Sequence, residues 1–176
     1  MIELLLASAL LSAGPQASAR PASPAPEPQV VIADMRIQRG VDDPQAFVSM
    51  IYAEYQAHPD RPPPNPSIAY SPRLRALYDA YDAWQRAHDG EVGSIDFDWW
   101  ANAQDYRLRN LSYRVIDEGP DLRWIAARFD NYGRHDEVRF RFVRQGGRWY
   151  LDDAMEGTGS GDNGWTLSAL LQNPAG

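Results

Sequence analysis

Residues 97–153 alternate between hydrophobic and polar positions, which is the pattern of β-strands with one buried face. The clearest example is a run in which Val138, Phe140 and Phe142 alternate with two arginines. A helical period would place those arginines in the core, so the alternation favours a strand. Three further runs share the pattern, and turn-forming residues separate all four. We therefore predict four consecutive antiparallel strands joined by hairpins.

Counting by twos along each run predicts which side chains face the core. The predicted inner face is aromatic and aliphatic, whereas the predicted outer face is rich in arginine. The residues predicted to face inward are Leu111, Tyr113, Val115, Ile125, Ala127, Phe129, Val138, Phe140, Phe142, Trp149 and Leu151.

Two helices with clear start signals precede the sheet. Asp43 can cap the first helix and Pro44 suits its first turn, and Ser71 with Pro72 repeats this arrangement for the second. A short helix at residues 165–171 follows the sheet. The predicted fold class is α+β, with two N-terminal helices packed on a curled, four-stranded antiparallel sheet and a short C-terminal helix. The stripes predicted to be buried are Phe47, Val48, Ile51, Tyr52 and Tyr55 in the first helix, and Leu74, Leu77, Tyr78, Tyr81 and Trp84 in the second.

Residues 1–19 have the organisation of a secretion signal, with an apolar run at residues 4–11 and small residues at 17–19. Glu3 and the lack of a basic residue at the start depart from that pattern, and an ordinary buried helix is the alternative. The apolar run is much shorter than the roughly 20 residues that a membrane span needs. We expect a periplasmic or secreted protein with no membrane insertion after signal cleavage.

The rest of the chain divides into a tether and one domain. Residues 20–40 are rich in proline, which favours an extended tether, and Val30–Ile32 could add an edge strand. Residues 41–173 have the length of a single domain with one core.

Composition restricts the chemistry that is available. The chain has 176 residues, no cysteine and a formal net charge of −7. The absence of cysteine excludes disulfides, thiolate metal sites and cysteine nucleophiles. The negative charge argues against nucleic acid and anionic membranes as partners, because both require basic surfaces. No calcium loop or phosphate loop can be recognised, so we predict no metal site and no cofactor.

Three segments resemble a bacterial family of unknown function, domain-of-unknown-function family 3828: FVSMIYAEY at residues 47–55, FDWWANAQDY at 97–106, and GRWYLDDAM at 147–155 with the later WTLSALL. The order of helix, helix and curled sheet also resembles the nuclear-transport-factor-2-like cone. The resemblance implies an exported or envelope-associated domain of a Gram-negative bacterium, and it carries no established activity or cofactor. The glycine-rich run before Trp165 departs from the family, because it is longer than the resemblance leads us to expect.

Strand direction predicts where polar side chains meet. If the strands alternate up and down, one end of the sheet collects Asp105, Asn131, His135, Asp136, Glu137 and Asp153. Parity points Asp105, Asn131 and Asp153 inward, although the two aspartates meet only if the sheet curls strongly. We predict a pocket with Asp105, Asn131, His135 and Asp153 at its rim and Tyr113, Phe129 and Trp149 in its wall.

The pocket allows two interpretations. In an enzyme, burial would raise the pKa of Asp105 or Asp153, and that residue would serve as general acid or base with His135. In the alternative, Asp105 and Asp153 only begin and end strands, and His135 is a solvated turn residue. We favour the second interpretation and assign no catalytic residue.

The predicted outer face carries a second candidate surface. Arg128, Arg139 and Arg141 surround Trp124 there, and tryptophan among arginines is typical of an interface. An ordinary solvated sheet face is the alternative. The resemblance to the nuclear-transport-factor-2-like cone implies a homodimer through this face.

The functional prediction is a non-catalytic module of the bacterial envelope that binds a small molecule or a protein. One alternative is an acid-base enzyme, meaning a hydrolase, isomerase or dehydratase. Another is a periplasmic protein that neutralises a toxin.

Overall fold

The computed structural model describes residues 39–59, 61, 65–157 and 164–176, all within the compact unit Met35–Gly176. The predicted signal peptide, most of the tether with its edge strand, and six residues of the glycine-rich run lie outside the described residues.

Helices open the described chain at the predicted positions. Helix α1 spans Pro44–Ala57 and helix α2 spans Pro72–Ala87, with a short 3-10 helix at Pro66–Ala69 between them. The Asp43 carboxylate accepts hydrogen bonds from the backbone of residues 45 and 46, and the Ser71 hydroxyl accepts one from the backbone of residue 74. Both predicted N-caps are therefore confirmed.

The sheet is a meander of four antiparallel strands in the order β1-β2-β3-β4. The strands span Leu108–Asp117 (β1), Leu122–Asn131 (β2), Arg134–Gln145 (β3) and Arg148–Glu156 (β4), and a short helix α3 follows at Leu167–Gln172. The predicted α+β fold class is confirmed at this level, with a sheet that is curled but not closed.

The core lies between the inner face of the sheet and the helices. Tyr52 of α1 is fully buried at its centre, where its ring lies within 5.5–6.2 Å of the rings of Phe129, Phe140, Trp100 and Tyr113. Its hydroxyl donates to the backbone oxygen of Trp100 at 2.7 Å. Tyr52 therefore ties α1 both to the sheet and to the segment that leads into β1.

Two features of β1 limit the inference from alternation. The register shifts between Arg109 and Ser112 of β1, where Asn110 has a φ of 53°. Leu108 is therefore a buried residue of β1, and counting by twos from Leu111 across this bulge gives the wrong face. Val115, predicted to be buried, is 38% exposed because β1 is an edge strand whose far end carries little cover.

Three isolated backbone bridges in the described chain cover the edge of β4, and one of them joins Met155 to Thr166 before α3. Val41 pairs with Trp149, and Tyr70 pairs with Leu151 just before α2 begins. These contacts fix the starts of both helices against the sheet. Among the described residues, no helix has the length and hydropathy of a membrane span.

Candidate functional site

The structure separates the two aspartates that were predicted to share a pocket rim. Asp153 pairs with Arg141, which lies at the level of Trp124 in β2 and Ile116 in β1. Asp105 precedes β1, at the opposite end of that strand. In β2, seven residues separate the level of Trp124 from that of Asn131, which pairs with the first residue of β1, or about 23 Å along the strand. Asp153 does not reach the end of the sheet where Asp105 lies, because β4 continues past Asp153 to residue 156.

Near Asp105, polar side chains hold the chain as it enters β1. The Asn131 side chain is buried, accepts a hydrogen bond from the backbone N–H of Arg107 at 2.8 Å, and donates to the backbone oxygen of Asp105 at 3.2 Å. The Asp105 side chain is exposed, and the His135 side chain is 89% exposed beside the Asp130 carboxylate. Asn131 and Asp105 are thus neighbours, in an arrangement that stabilises a strand entry.

Asp153 is buried, and its carboxylate holds helix α3. One carboxylate oxygen accepts from the backbone N–H of Ser168 at 3.0 Å, and the other accepts from the Ser168 hydroxyl at 2.6 Å. Thr166, the N-cap residue of α3, makes no capping bond with its own side chain. Asp153 therefore caps α3 from the neighbouring strand.

The residues of the predicted pocket wall do not line one cavity. Tyr113 and Phe129 both pack against Tyr52, whose ring fills the space between them. Trp149 lies at the other end of the sheet, where the guanidinium groups of Arg123 and Arg144 lie 4.9 and 5.8 Å from its ring. The expected cavity on the inner face is occupied by an aromatic core.

On the outer face, three of the predicted arginines pair with buried carboxylates of the chain itself. Arg128 and Arg139 both donate to Glu137, and Arg141 donates to Asp152 at 2.5 Å. Burial alone would raise the pKa of Glu137, but the hydrogen bonds from the two arginines outweigh it and lower the pKa. A groove of about 510 Å³ is lined by Arg128, Arg139 and Glu137, whose charged groups are already paired with one another.

Trp124 lies in an apolar part of the same outer face. Strand pairing aligns it with Ile116, and it aligns Leu122 with Val143 and Val143 with Tyr150. All five side chains are partly exposed. We call these five residues the outer apolar cluster.

A surface cleft lined by six aromatic residues of the described chain was not predicted from the sequence. It is a cleft of about 380 Å³ between α2, the 3-10 helix and residues 95–100, which we call the aromatic cleft. Its lining residues are Asn65, Pro66, Tyr70, Tyr78, Tyr81, Asp82, Gln85, Ile95, Phe97, Asp98, Trp99 and Trp100.

Stacking and close packing shape the walls of the aromatic cleft. The rings of Tyr70 and Tyr78 stack at 5.0 Å with an angle of 12° between their planes. The Tyr81 hydroxyl accepts a hydrogen bond from the backbone N–H of Ile95 at 3.1 Å. A Cβ on Gly93 would lie 2.3 Å from that hydroxyl, so glycine is required for this close approach. The cleft is therefore formed by well-anchored elements.

Asp98 organises the floor of the aromatic cleft. One carboxylate oxygen accepts from the Tyr55 hydroxyl at 2.6 Å, and the other accepts from the backbone N–H groups of Trp100 and Ala101 at 2.9 and 3.3 Å. Burial raises the pKa of Asp98, although these hydrogen bonds act in the opposite direction. No histidine is among the described residues that line the cleft.

The aromatic cleft offers ring faces, two carboxylates and amide groups to a ligand. The aromatic residues of the cleft stand out in the sequence, but the sequence does not show that they meet. Tyr78 and Tyr81 belong to the predicted buried stripe of α2, and Phe97–Trp100 belong to a segment that resembles the bacterial family. Among the described residues, no three His, Cys, Asp or Glu side chains are arranged to hold a metal ion.

Comparison of the chain with family models, curated proteins and solved structures found no match.

Proposed function

We propose that this chain is an exported, non-catalytic domain that binds a small organic ligand in the aromatic cleft. Export is inferred from the signal-like order of residues 1–19. The succession of two helices and a curled meander supports a nuclear-transport-factor-2-like cone as the wider fold.

The observation that carries the proposal is the cleft itself. Its volume of about 380 Å³ falls in the range of small-molecule pockets, roughly 300–1,000 Å³. Tyr78, Ile95 and Phe97 are partly exposed within it, so apolar surface is available to a ligand. Because Tyr81 anchors a wall of the cleft and Asp98 anchors its floor, ligand binding requires little ordering of the protein.

The polar contacts support binding rather than acid-base catalysis. Asp153 caps α3 and Asp105 is exposed at the strand entry, so neither forms an acid-base pair with His135. Asp98 lies in the cleft, but its oxygens accept three hydrogen bonds that shape the backbone. Catalysis by a general acid or base requires a group within reach of the substrate proton.

The proposal can be tested by blocking the cleft from its rim. Gln85 and Ala83 are both exposed on α2, but only Gln85 lines the cleft. A panel of small amines, sugars, aromatic alcohols and carboxylic acids would be screened by ligand-observed NMR against the wild type, Gln85→Trp and Ala83→Trp. We expect at least one compound class to bind the wild type and Ala83→Trp and to lose binding in Gln85→Trp.

The proposal fails if no class binds at millimolar concentration, or if Gln85→Trp binds the compounds as the wild type does. Thermal unfolding of both variants shows whether the added tryptophan leaves the fold intact.

A second candidate function is the binding of a protein partner, in the simplest case a second copy of this chain. The outer apolar cluster favours it, because five partly exposed apolar side chains adjoin on a sheet face that faces away from α1. The arginine pairs around it supply a polar rim.

A further inference from the structure

The charges of the aromatic cleft all have one sign. Asp82 and Asp98 are acidic, and none of the other described lining residues is basic. This contrasts with Trp149, whose ring is already covered by Arg123 and Arg144. The aromatic rings that line the cleft therefore lie near carboxylates, and none of the described residues that line the cleft is a cation.

The hydroxyl groups of the cleft respond to this negative charge. Burial, the largest cause, raises the pKa of Tyr78 to about 12, and the Asp82 and Asp98 carboxylates act in the same direction. Asp82 also raises the pKa of Tyr70, where burial is again the first cause. Arg75 lies near enough to Tyr70 to oppose this effect, but it does not line the cleft.

We propose that the aromatic cleft binds an organic cation, with an ammonium group held against the partly exposed rings of Tyr78 and Phe97 and facing the carboxylate of Asp82. This inference rests on the proposed function, since it names the class of ligand for the same cleft. The face of an aromatic ring carries negative charge density and attracts a desolvated ammonium group. A carboxylate at the rim adds charge complementarity, whereas an anionic ligand would meet two like charges.

The two carboxylates have different parts in this arrangement. Asp98 is fixed by Tyr55 and by the backbone of residues 100 and 101, so its carboxylate has a fixed position on the floor of the cleft. Asp82 is exposed on α2 and makes no contact that shapes the cleft backbone. It can therefore be neutralised without disturbing the fold, which makes it the residue to change.

The test compares choline with its uncharged carbon isostere, 3,3-dimethylbutan-1-ol, by titration calorimetry or NMR. These probes have nearly the same shape and differ in the positive charge. We expect choline to bind the wild type about tenfold more tightly, as cation-π attraction in a partly desolvated cleft predicts. Asp82→Asn should weaken choline binding by about threefold, the effect of one partly exposed charge pair, and should leave the isostere unaffected.

Asp79→Asn is the matched control, because Asp79 is exposed on the same helix and does not line the cleft. It should leave choline binding unchanged. The cation assignment is overturned if the isostere binds as tightly as choline, or if Asp82→Asn has no effect on choline. If only neutral or anionic compounds bind in a manner that Gln85→Trp abolishes, the small-ligand function stands and the cation assignment fails. If nothing binds in the cleft, both fail.

Discussion

At the scale of single residues, the buried carboxylates of this chain are structural groups. Asp136, Glu137, Asp152 and Asp153 each accept hydrogen bonds from other groups of the chain, Asp136 from Arg134, and the partly buried Asp98 does the same. Glu137 is the clearest case, because two arginines donate to it and Gly157 lies so close that a Cβ would be 2.6 Å from its side chain. A charge buried in this way stabilises the fold only while it is paired.

Glu137→Gln should destabilise the protein by about 1–3 kcal/mol at pH 7, since it weakens charge-assisted hydrogen bonds. The pKa of Glu137 is lowered in the folded state, with the bonds from Arg128 and Arg139 outweighing the effect of burial. Its contribution is therefore complete above the pKa of an unfolded glutamate, about 4.3, and is lost as the pH falls through the lower, folded value. Urea unfolding at several pH values measures this difference.

Glu118→Gln, in the exposed β1–β2 turn, is the control and should change little at any pH. A difference between wild type and Glu137→Gln that stays constant down to pH 2 would contradict this account.

Residue roles were the least predictable property of the sequence. The two carboxylates and the amide at positions 105, 131 and 153 indicated a polar site at one end of the sheet. What decided their roles was the register of β4 and the bulge at Asn110, which shifts the parity of β1. Asn110 adopts positive φ, and its side chain donates to Asp130 at 2.6 Å, a contact with the next strand that local alternation does not reveal.

At the scale of elements, helix α3 depends on a residue of another element. It spans only Leu167–Gln172, too short to be stable alone. Asp153 of β4 supplies its N-terminal cap, and Leu167 and Leu171 are buried. We therefore expect α3 to detach from the sheet when Asp153 no longer caps it.

Asp153→Ala should lower the free energy of unfolding by about 1–3 kcal/mol, because it leaves the partly buried N–H and hydroxyl of Ser168 without their acceptor. Hydrogen exchange should show faster exchange at residues 168–172 and little change in β2. Ser168→Ala removes only the hydroxyl bond and should have a smaller effect. Equal protection of α3 in the wild type and in Asp153→Ala would show that its other contacts, among them the buried leucines and the Ser94 hydroxyl bond to Leu170, hold the helix.

The elements themselves were predictable because local signals agree with tertiary packing. Caps at Asp43 and Ser71 fixed the helix starts, and alternation in β2 and β3 identified a sheet with one buried face. Alternation worked best in those central strands, where both neighbours are strands. It was less reliable in β1 and β4, since edge strands tolerate bulges and partial exposure.

At the scale of the whole molecule, the aromatic cleft arises from segments that are distant in sequence. The helical spacing of hydrophobic residues predicts Tyr78 and Tyr81 on the buried stripe of α2, and Tyr81 is buried. It gave no indication that residues 95–100 would return to this helix, because the hydrogen bond from Ile95 to Tyr81 depends on close contact at Gly93. The cleft therefore depends on how distant segments pack together, which the hydrophobic pattern of the sequence does not show.

The outer apolar cluster is the other property of the whole molecule, and it leads to a prediction about assembly. Stable dimers bury about 800 Å² on each partner, usually around a central aromatic anchor. Trp124, bordered by Ile116 and Arg141 in the strand pairing, has the position of such an anchor. We expect the wild type to be a homodimer at micromolar concentration, and Trp124→Glu to be a monomer, because a carboxylate buried at the centre of a symmetric interface faces its own copy.

Light scattering coupled to size exclusion measures the mass of each form, and circular dichroism shows that the variant remains folded. Ser112→Glu adds the same charge on the same exposed face but outside the outer apolar cluster, so it should remain dimeric. A wild type that is monomeric at 100 μM, roughly the limit for a weak specific dimer, would refute self-association through this face. Loss of the dimer in Ser112→Glu as well would show that added charge, and not removal of the Trp124 anchor, separates the subunits.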